Sequence, residues 1–141
     1  MTRGSFLRDE SGASMVEFAI VLPVLCIFIF GAIDFGRALK VYNNLAAAAR
    51  DGARYGGAMD DPTTASSKTL IITRTKAAFQ DAMGVAAVVP APTVDIVTDA
   101  GGNKHVAVTI ANYQYQPLTP LPADGISFNV RAEFRWEAQQ P

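Results

Sequence analysis

The chain has very few residues of the kinds that build redox centres, metal sites or nucleic-acid interfaces. It contains one cysteine, one histidine and one tryptophan among 141 residues. The single cysteine, Cys26, excludes an internal disulfide and leaves the redox compartment undetermined. The 12 basic residues nearly balance the 13 acidic ones, and they form no basic run. This composition therefore predicts no nucleic-acid partner.

Motifs for catalysis and for cofactor binding are also missing. His105 has no cysteine or suitably spaced acid beside it to complete a metal site, so we expect it to be structural. Neither GxxxxGK[ST] nor GxGxxG occurs, and Gly101-Gly102 is interpreted as a turn. The sequence thus predicts no catalytic residues, no metal and no cofactor, and a protein that is not an enzyme.

Charge is absent from one long N-terminal run, between Glu17 and Asp34. Residues 13–33 would span about 31 Å as a helix, enough to cross a bilayer core of about 30 Å. Glu17 lies inside this stretch, where a charge costs roughly 2.5–3.5 kcal/mol at the helix centre and less near its end. Because such acids usually have a partner, Glu17 is a candidate functional residue.

A cleaved secretory signal peptide is the first alternative for this segment. The uninterrupted apolar run Phe18–Ile33 is longer than the usual apolar core of a signal peptide, and no Ala-x-Ala site follows it. We therefore favour a retained membrane span. More basic residues follow the span than precede it, which weakly favours a cytoplasmic C-terminus.

The helix is predicted to continue beyond the membrane edge to Tyr55. Residues 34–55 lack proline and are rich in alanine, with an apolar stripe that includes Tyr42, Leu45 and Ala49. Gly56-Gly57 is expected to end the helix by adopting a left-handed conformation. Pro23 is expected to bend the helix or to loosen it locally. The alternative is a membrane anchor followed by a separate soluble helix.

The remaining residues predict a second helix and a small antiparallel sheet. The helix is expected to run from an N-cap at Ser66 or Ser67 to Met83 and to pack on the sheet. A hairpin with the connection Asp99–Asn103 and a last strand with alternating polarity follow it. The fold class is therefore α+β: a long N-terminal helix with a transmembrane and a soluble half, a second helix, and a sheet of about three strands. The expected packing positions are Ile71, Ala78, Phe79 and Ala82 on the helix and Phe128, Val130, Ala132, Phe134 and Trp136 on the last strand, which a Pro-rich loop, Pro117 to Pro122, precedes.

The N-terminus resembles the type IV-like prepilin signal, in which a polar leader ends in glycine and glutamate is the fifth residue after it. Here Gly12 would precede the cut, Ala13 would become the first residue, and Glu17 would be the fifth. The run Arg8–Ala13, with Val16-Glu17-Phe18-Ala19 and Leu22-Pro23, is similar to the TadE-like family, as is Ala48–Tyr55.

The resemblance implies a minor pilin or pseudopilin of the tight-adherence (Tad) pilus machinery. It implies cleavage between Gly12 and Ala13 by a prepilin peptidase, and roles for Glu17, Phe18 and Pro23 in subunit assembly. The implied partners are this peptidase, other pilins and inner-membrane lipid. It also places the C-terminal domain in the periplasm, against the weak charge argument, and allows export in a surface pilus. The alternative is an unprocessed single-pass anchor for an interaction module.

The chain is therefore expected to divide into four parts: a leader (1–12), a transmembrane helix (13–33), its soluble continuation (34–57) and a small α+β domain (58–141).

Overall fold

The computed structural model describes residues 10–84, 89, 91–118 and 125–136. These ranges form two helices and three strands, which confirms the predicted α+β class. In chain order the elements are α1 Glu10–Gly57, α2 Ala65–Met83, β1 Thr93–Thr98, β2 Lys104–Tyr115 and β3 Ile126–Arg135. Residues 1–9 of the predicted leader and residues 119–122 of the predicted Pro-rich loop lie outside the described residues.

Helix α1 is a single helix of 48 residues, so the alternative of two separate helices is wrong. It continues on both sides of Pro23, although proline cannot donate the hydrogen bond to the carbonyl one turn earlier. Its first half exposes its side chains, whereas one face is buried from Asp34 onward. The same helix thus carries an uncovered apolar segment and one wall of the folded domain.

The predicted end of α1 is right to within two residues, but the predicted reason is wrong. Gly56 and Gly57 are both helical, and neither has a positive φ. A Cβ on Gly56 would lie 2.7 Å from Ile71 Cδ1 and 2.8 Å from Val106 Cγ1. Glycine is needed here because α2 and the sheet both approach the last turn of α1, not because the backbone turns left-handed.

The three strands form an antiparallel sheet in the order β1-β2-β3. The predicted connection Asp99–Asn103 joins β1 to β2, and the Asp99 carboxylate accepts hydrogen bonds from the Gly101 and Asn103 N–H groups, both at 2.8 Å.

Hydrogen bonds from the Asn103 side chain and backbone and from His105 lower the pKa of Asp99 to about 2. His105 therefore helps to hold the hairpin connection.

A β-bulge in β2 keeps its aromatic residues on the core face. The register with β3 shifts between Ile110 and Tyr113, and Asn112 has a φ of 58°. The Asn112 N–H donates to Asn129 Oδ1 at 2.9 Å. Strict alternation would place Ile110 and Tyr113 on opposite faces, but the extra residue returns Tyr113 and Tyr115 to the side of Ile110.

The core departs from the predicted packing positions at two aromatic residues. Tyr42 departs from the predicted stripe: it is 43% exposed and packs edge-on against Phe128 at a ring-centroid distance of 5.8 Å. The last strand follows its predicted alternation only in part, since Phe134 is exposed. Leu45, Ala49, Ile71, Phe79 and Val130 are buried as predicted. The other buried apolar residues of the core include Ala48, Ala53, Val106, Val108 and Ile110.

Helix α2 differs from its prediction in its start and in its packing. Its N-cap is Thr64, not Ser66 or Ser67, and the Thr64 hydroxyl accepts a hydrogen bond from the Ser67 N–H at 3.2 Å. The helix packs mainly on α1, and it reaches β2 through the Phe79 and Tyr113 rings, whose centroids lie 5.6 Å apart. Ala82, predicted to pack on the sheet, is exposed.

Candidate functional site

The first half of α1 is an apolar helix without cover in the described part of the chain. It is the one described helix that is long and apolar enough to cross a membrane, and none of the residues in its most apolar window is buried. An apolar surface of this length is not stable in water. These residues indicate membrane anchoring of the chain.

The predicted cleavage bond, Gly12–Ala13, lies in the first turns of α1. A Cβ on Gly12 would meet nothing within 4 Å, and its φ is not in the left-handed region. Glycine costs a helix about 1 kcal/mol relative to alanine. No contact within the described chain accounts for glycine at this position.

The predicted assembly residues do not meet in a pocket, since each is exposed on the uncovered half of α1. Glu17 lies one helical turn after Ala13, so the two share a face of the helix. Among the described residues no group forms a hydrogen bond or an ion pair with Glu17. Phe18 is 62% exposed, and Pro23 is also exposed.

Asp34, at the other end of the apolar segment, is a residue whose role the sequence analysis missed. It is buried, and its Oδ1 accepts a hydrogen bond from the Leu118 N–H at 2.8 Å. The Tyr115 hydroxyl donates to the Asp34 carbonyl oxygen at 3.3 Å. Asp34 therefore ties the chain after β2 to α1 at the level where the apolar segment ends. Asp34 is the first charged residue after the charge-free run, and this position is the feature of the sequence that could have indicated its role.

The second stretch singled out from the sequence, Ala48–Tyr55, forms the contact of α1 with α2. A Cβ on Gly52 would overlap the buried Thr75 hydroxyl oxygen, so glycine allows the two helices to approach. Beside this contact the Asp51 carboxylate accepts a hydrogen bond from Arg74 Nε at 2.7 Å, which raises the pKa of Arg74. This stretch thus fixes the position of α2.

A shallow groove of about 360 Å³ lies between α1 and β3, lined in part by Arg50, Arg54 and Phe134. Arg131 also lines it and pairs with Glu133 at 2.7 Å. The groove is open and cationic and carries no recognisable catalytic arrangement. Within the described ranges no three His, Cys, Asp or Glu side chains come together as a metal site.

Comparison with known proteins matches the first part of the chain to a family. Residues 12–54 match the family model described as TadE-like protein. The chain carries a TadE-like segment. This match confirms the resemblance found in the sequence, and it contains both Gly12–Glu17 and most of Ala48–Tyr55. No curated protein and no solved structure gives a significant match to the chain.

The TadE-like segment includes the uncovered half of α1 and the part of α1 that enters the core. It ends just before Gly56, so α2 and the sheet lie outside the match. Together, the match and the apolar helix indicate a membrane protein related to the Tad pilus.

Proposed function

We propose that this TadE-like chain is a minor pilin or pseudopilin, processed by a prepilin peptidase, which takes part in assembly of a type IV-like Tad adhesion pilus. It would be inserted in the bacterial inner membrane with its leader in the cytoplasm and residues 58–141 in the periplasm. The observation that carries the proposal is the family match from Gly12, with Glu17 five residues further on in an uncovered apolar helix.

The surroundings of Gly12 support a role in processing. Because its missing Cβ faces open space, the small size of Gly12 serves no packing within the described chain. A peptidase that must approach the backbone closely would supply the reason, since glycine leaves the peptide bond accessible.

The exposure of Glu17 supports a role in assembly. Cleavage would create a new α-amino group at Ala13, and the amine of a neighbouring subunit would pair with the Glu17 carboxylate. Burial of a lone carboxylate among apolar helices is strongly unfavourable, so the pair would favour subunits in the correct register. Phe18 and Pro23, exposed on other faces of the same half of α1, would contact further neighbouring subunits in the assembly.

The proposal is tested by the N-terminus of the mature protein. The chain is produced in bacterial membranes with and without an active prepilin peptidase, and intact mass and N-terminal sequence are measured. We expect Ala13 as the first residue only when the peptidase is active. Gly12→Leu should block the cut without affecting insertion, because the apolar segment is unchanged.

Gly4→Leu is the matched control, since it changes a leader glycine away from the proposed bond and should leave processing intact. An uncut chain in the presence of a peptidase that cleaves other prepilins would contradict the proposal. It would favour an unprocessed single-pass anchor for an interaction module.

A further inference from the structure

Three exposed apolar side chains surround the point where α1 enters the folded domain. Phe35 is 71% exposed, Leu39 is 46% exposed, and Leu118, which follows β2, is 63% exposed. We call these three residues the basal surface. We infer that the basal surface is embedded in the interfacial layer of the bilayer, so that the folded domain sits on the membrane and is not held away from it on a stalk.

The position of Leu118 is fixed by the fold. Its N–H donates to the buried carboxylate of Asp34 at 2.8 Å, and the Tyr115 hydroxyl donates to the Asp34 carbonyl oxygen at 3.3 Å. These bonds hold the chain after β2 at the height of Asp34 along α1. Leu118 therefore lies close to the end of the apolar stretch at Ile33, the residue before Asp34.

A groove shows that the base of the folded domain and the end of the apolar segment lie at the same level along the axis of α1. It has a volume of about 210 Å³ and is lined mainly by apolar atoms, with Gly31 and Phe35 on α1 and Pro117 and Ile126 from the sheet side. Gly31 belongs to the membrane-crossing stretch of 13–33. Because Pro117 and Ile126 face the same groove, the base of the domain reaches the level of that stretch.

Depth along the helix axis identifies the bilayer as the occupant. Phe35 lies about 3 Å and Leu39 about 9 Å beyond Ile33 at 1.5 Å per residue. The polar layer of a bilayer is roughly 5–8 Å thick on each side of the hydrocarbon core, so Phe35 lies within this layer and Leu39 lies at its outer edge. A bilayer surrounds a spanning helix on all sides, so every residue at this depth meets lipid unless protein covers it.

The charges beside the basal surface fit the same occupant. Arg37 and Lys40 are exposed on α1 between and beside its apolar residues, and long basic side chains can reach lipid phosphates from this depth. The acid in this part of α1, Asp34, is mostly buried, and its carboxylate accepts a hydrogen bond from the Leu118 N–H. The inference requires that α1 crosses a membrane, but it does not require removal of the leader.

The test measures lipid contact at Leu118 in the full-length chain. In a Cys26→Ala background, Leu118→Cys is labelled with the environment-sensitive fluorophore NBD and reconstituted in lipid nanodiscs that hold one chain each. In one set of nanodiscs some of the phospholipids carry a nitroxide quencher near the headgroup, and in a second set they carry it in the middle of the acyl chain. Leu25→Cys, in the apolar segment, is the reference for insertion and is read with the acyl-chain quencher. Leu70→Cys is the matched control, because Leu70 is an exposed leucine on α2 at 53% exposure.

We expect NBD at residue 118 to be blue-shifted and quenched several-fold more strongly than NBD at residue 70. Equal, weak quenching at residues 118 and 70, with strong quenching at residue 25, would overturn the inference and indicate a domain on a stalk. Shielding of residue 118 only in nanodiscs that hold two chains would overturn it in favour of a second copy. Absence of quenching at residue 25 would contradict the membrane span on which the inference rests.

Discussion

Two acids bracket the apolar segment of this chain, and their surroundings differ. Asp34 is buried and accepts a hydrogen bond from the Leu118 backbone, so its role lies within the folded domain. Glu17 is exposed, with no partner among the described residues. A carboxylate in an apolar segment that has no partner in its own chain is expected to find one in another molecule.

Glu17→Ala should therefore insert and be processed normally but fail to associate with the other pilins. Breaking a buried pair costs about 3–5 kcal/mol, which weakens association by about a hundredfold or more. The measurement is co-isolation of the other pilins with the tagged variant, alongside the N-terminal sequence of the variant. Glu17→Asp, which keeps the charge on a shorter side chain, is the matched control and should retain part of the association. If the Glu17→Ala variant co-isolates the other pilins normally, Glu17 is only an acid that the membrane interface tolerates and has no role in association.

At the scale of the elements, close packing explains features that the sequence left ambiguous. The glycines near the end of α1 suggested a helix stop, but they are helical and mark where α2, β2 and β3 approach. Periodicity identified both helices and all three strands, because the apolar residues repeat with helical or strand spacing. Periodicity did not predict that α2 packs mainly on α1. An apolar stripe shows which face of a helix is buried but not which other element packs against that face.

Gly52→Ala tests this contact between α1 and α2. Alanine is the better helix former by about 1 kcal/mol, yet its Cβ would overlap the Thr75 hydroxyl, and overpacking costs typically 1–3 kcal/mol. We expect a lower free energy of unfolding, measured by denaturant titration of Trp136 fluorescence in detergent. Gly36→Ala is the matched control, because its Cβ would meet nothing within 4 Å.

The clash should be relieved when the side chain that causes it is shortened. Thr75→Ala removes the hydroxyl oxygen, so the double variant Gly52→Ala/Thr75→Ala should lose less stability than the sum of the single changes. Additive losses would mean that the helices separate freely at this point and that Gly52 is not needed for their contact.

For the whole molecule, the sequence predicted the architecture but not the contacts between distant parts. The α+β class, the continuous helix and the alternation of the last strand all follow from local patterns that one segment carries by itself. The bond from Leu118 to Asp34 and that from the Trp136 indole N–H to the Met59 carbonyl oxygen at 3.1 Å join residues far apart in the chain. The pattern of apolar and polar residues in one segment does not predict these hydrogen bonds, because each bond joins that segment to a residue far away in the chain.

The amphipathic half of α1 is part of the core, so the domain should not fold without it. Leu45, Ala49 and Ala53 are buried against the second helix and the sheet. Loss of one buried leucine side chain costs about 2–5 kcal/mol, against a total stability of about 5–15 kcal/mol for a typical domain. A fragment of residues 34–141 should unfold cooperatively, whereas residues 58–141 should be unfolded or aggregated.

Denaturant titration followed by Trp136 fluorescence compares the two fragments, because the indole is half-buried against Met59 in the complete domain. Within the longer fragment, Leu45→Ala should lower the free energy of unfolding by about 2–5 kcal/mol. Leu39→Ala, at an exposed position on the same helix, should change it by less than about 1 kcal/mol. Equal stability of the two fragments would show that α1 contributes nothing to the core, contrary to the burial of Leu45, Ala49 and Ala53 against the sheet and α2.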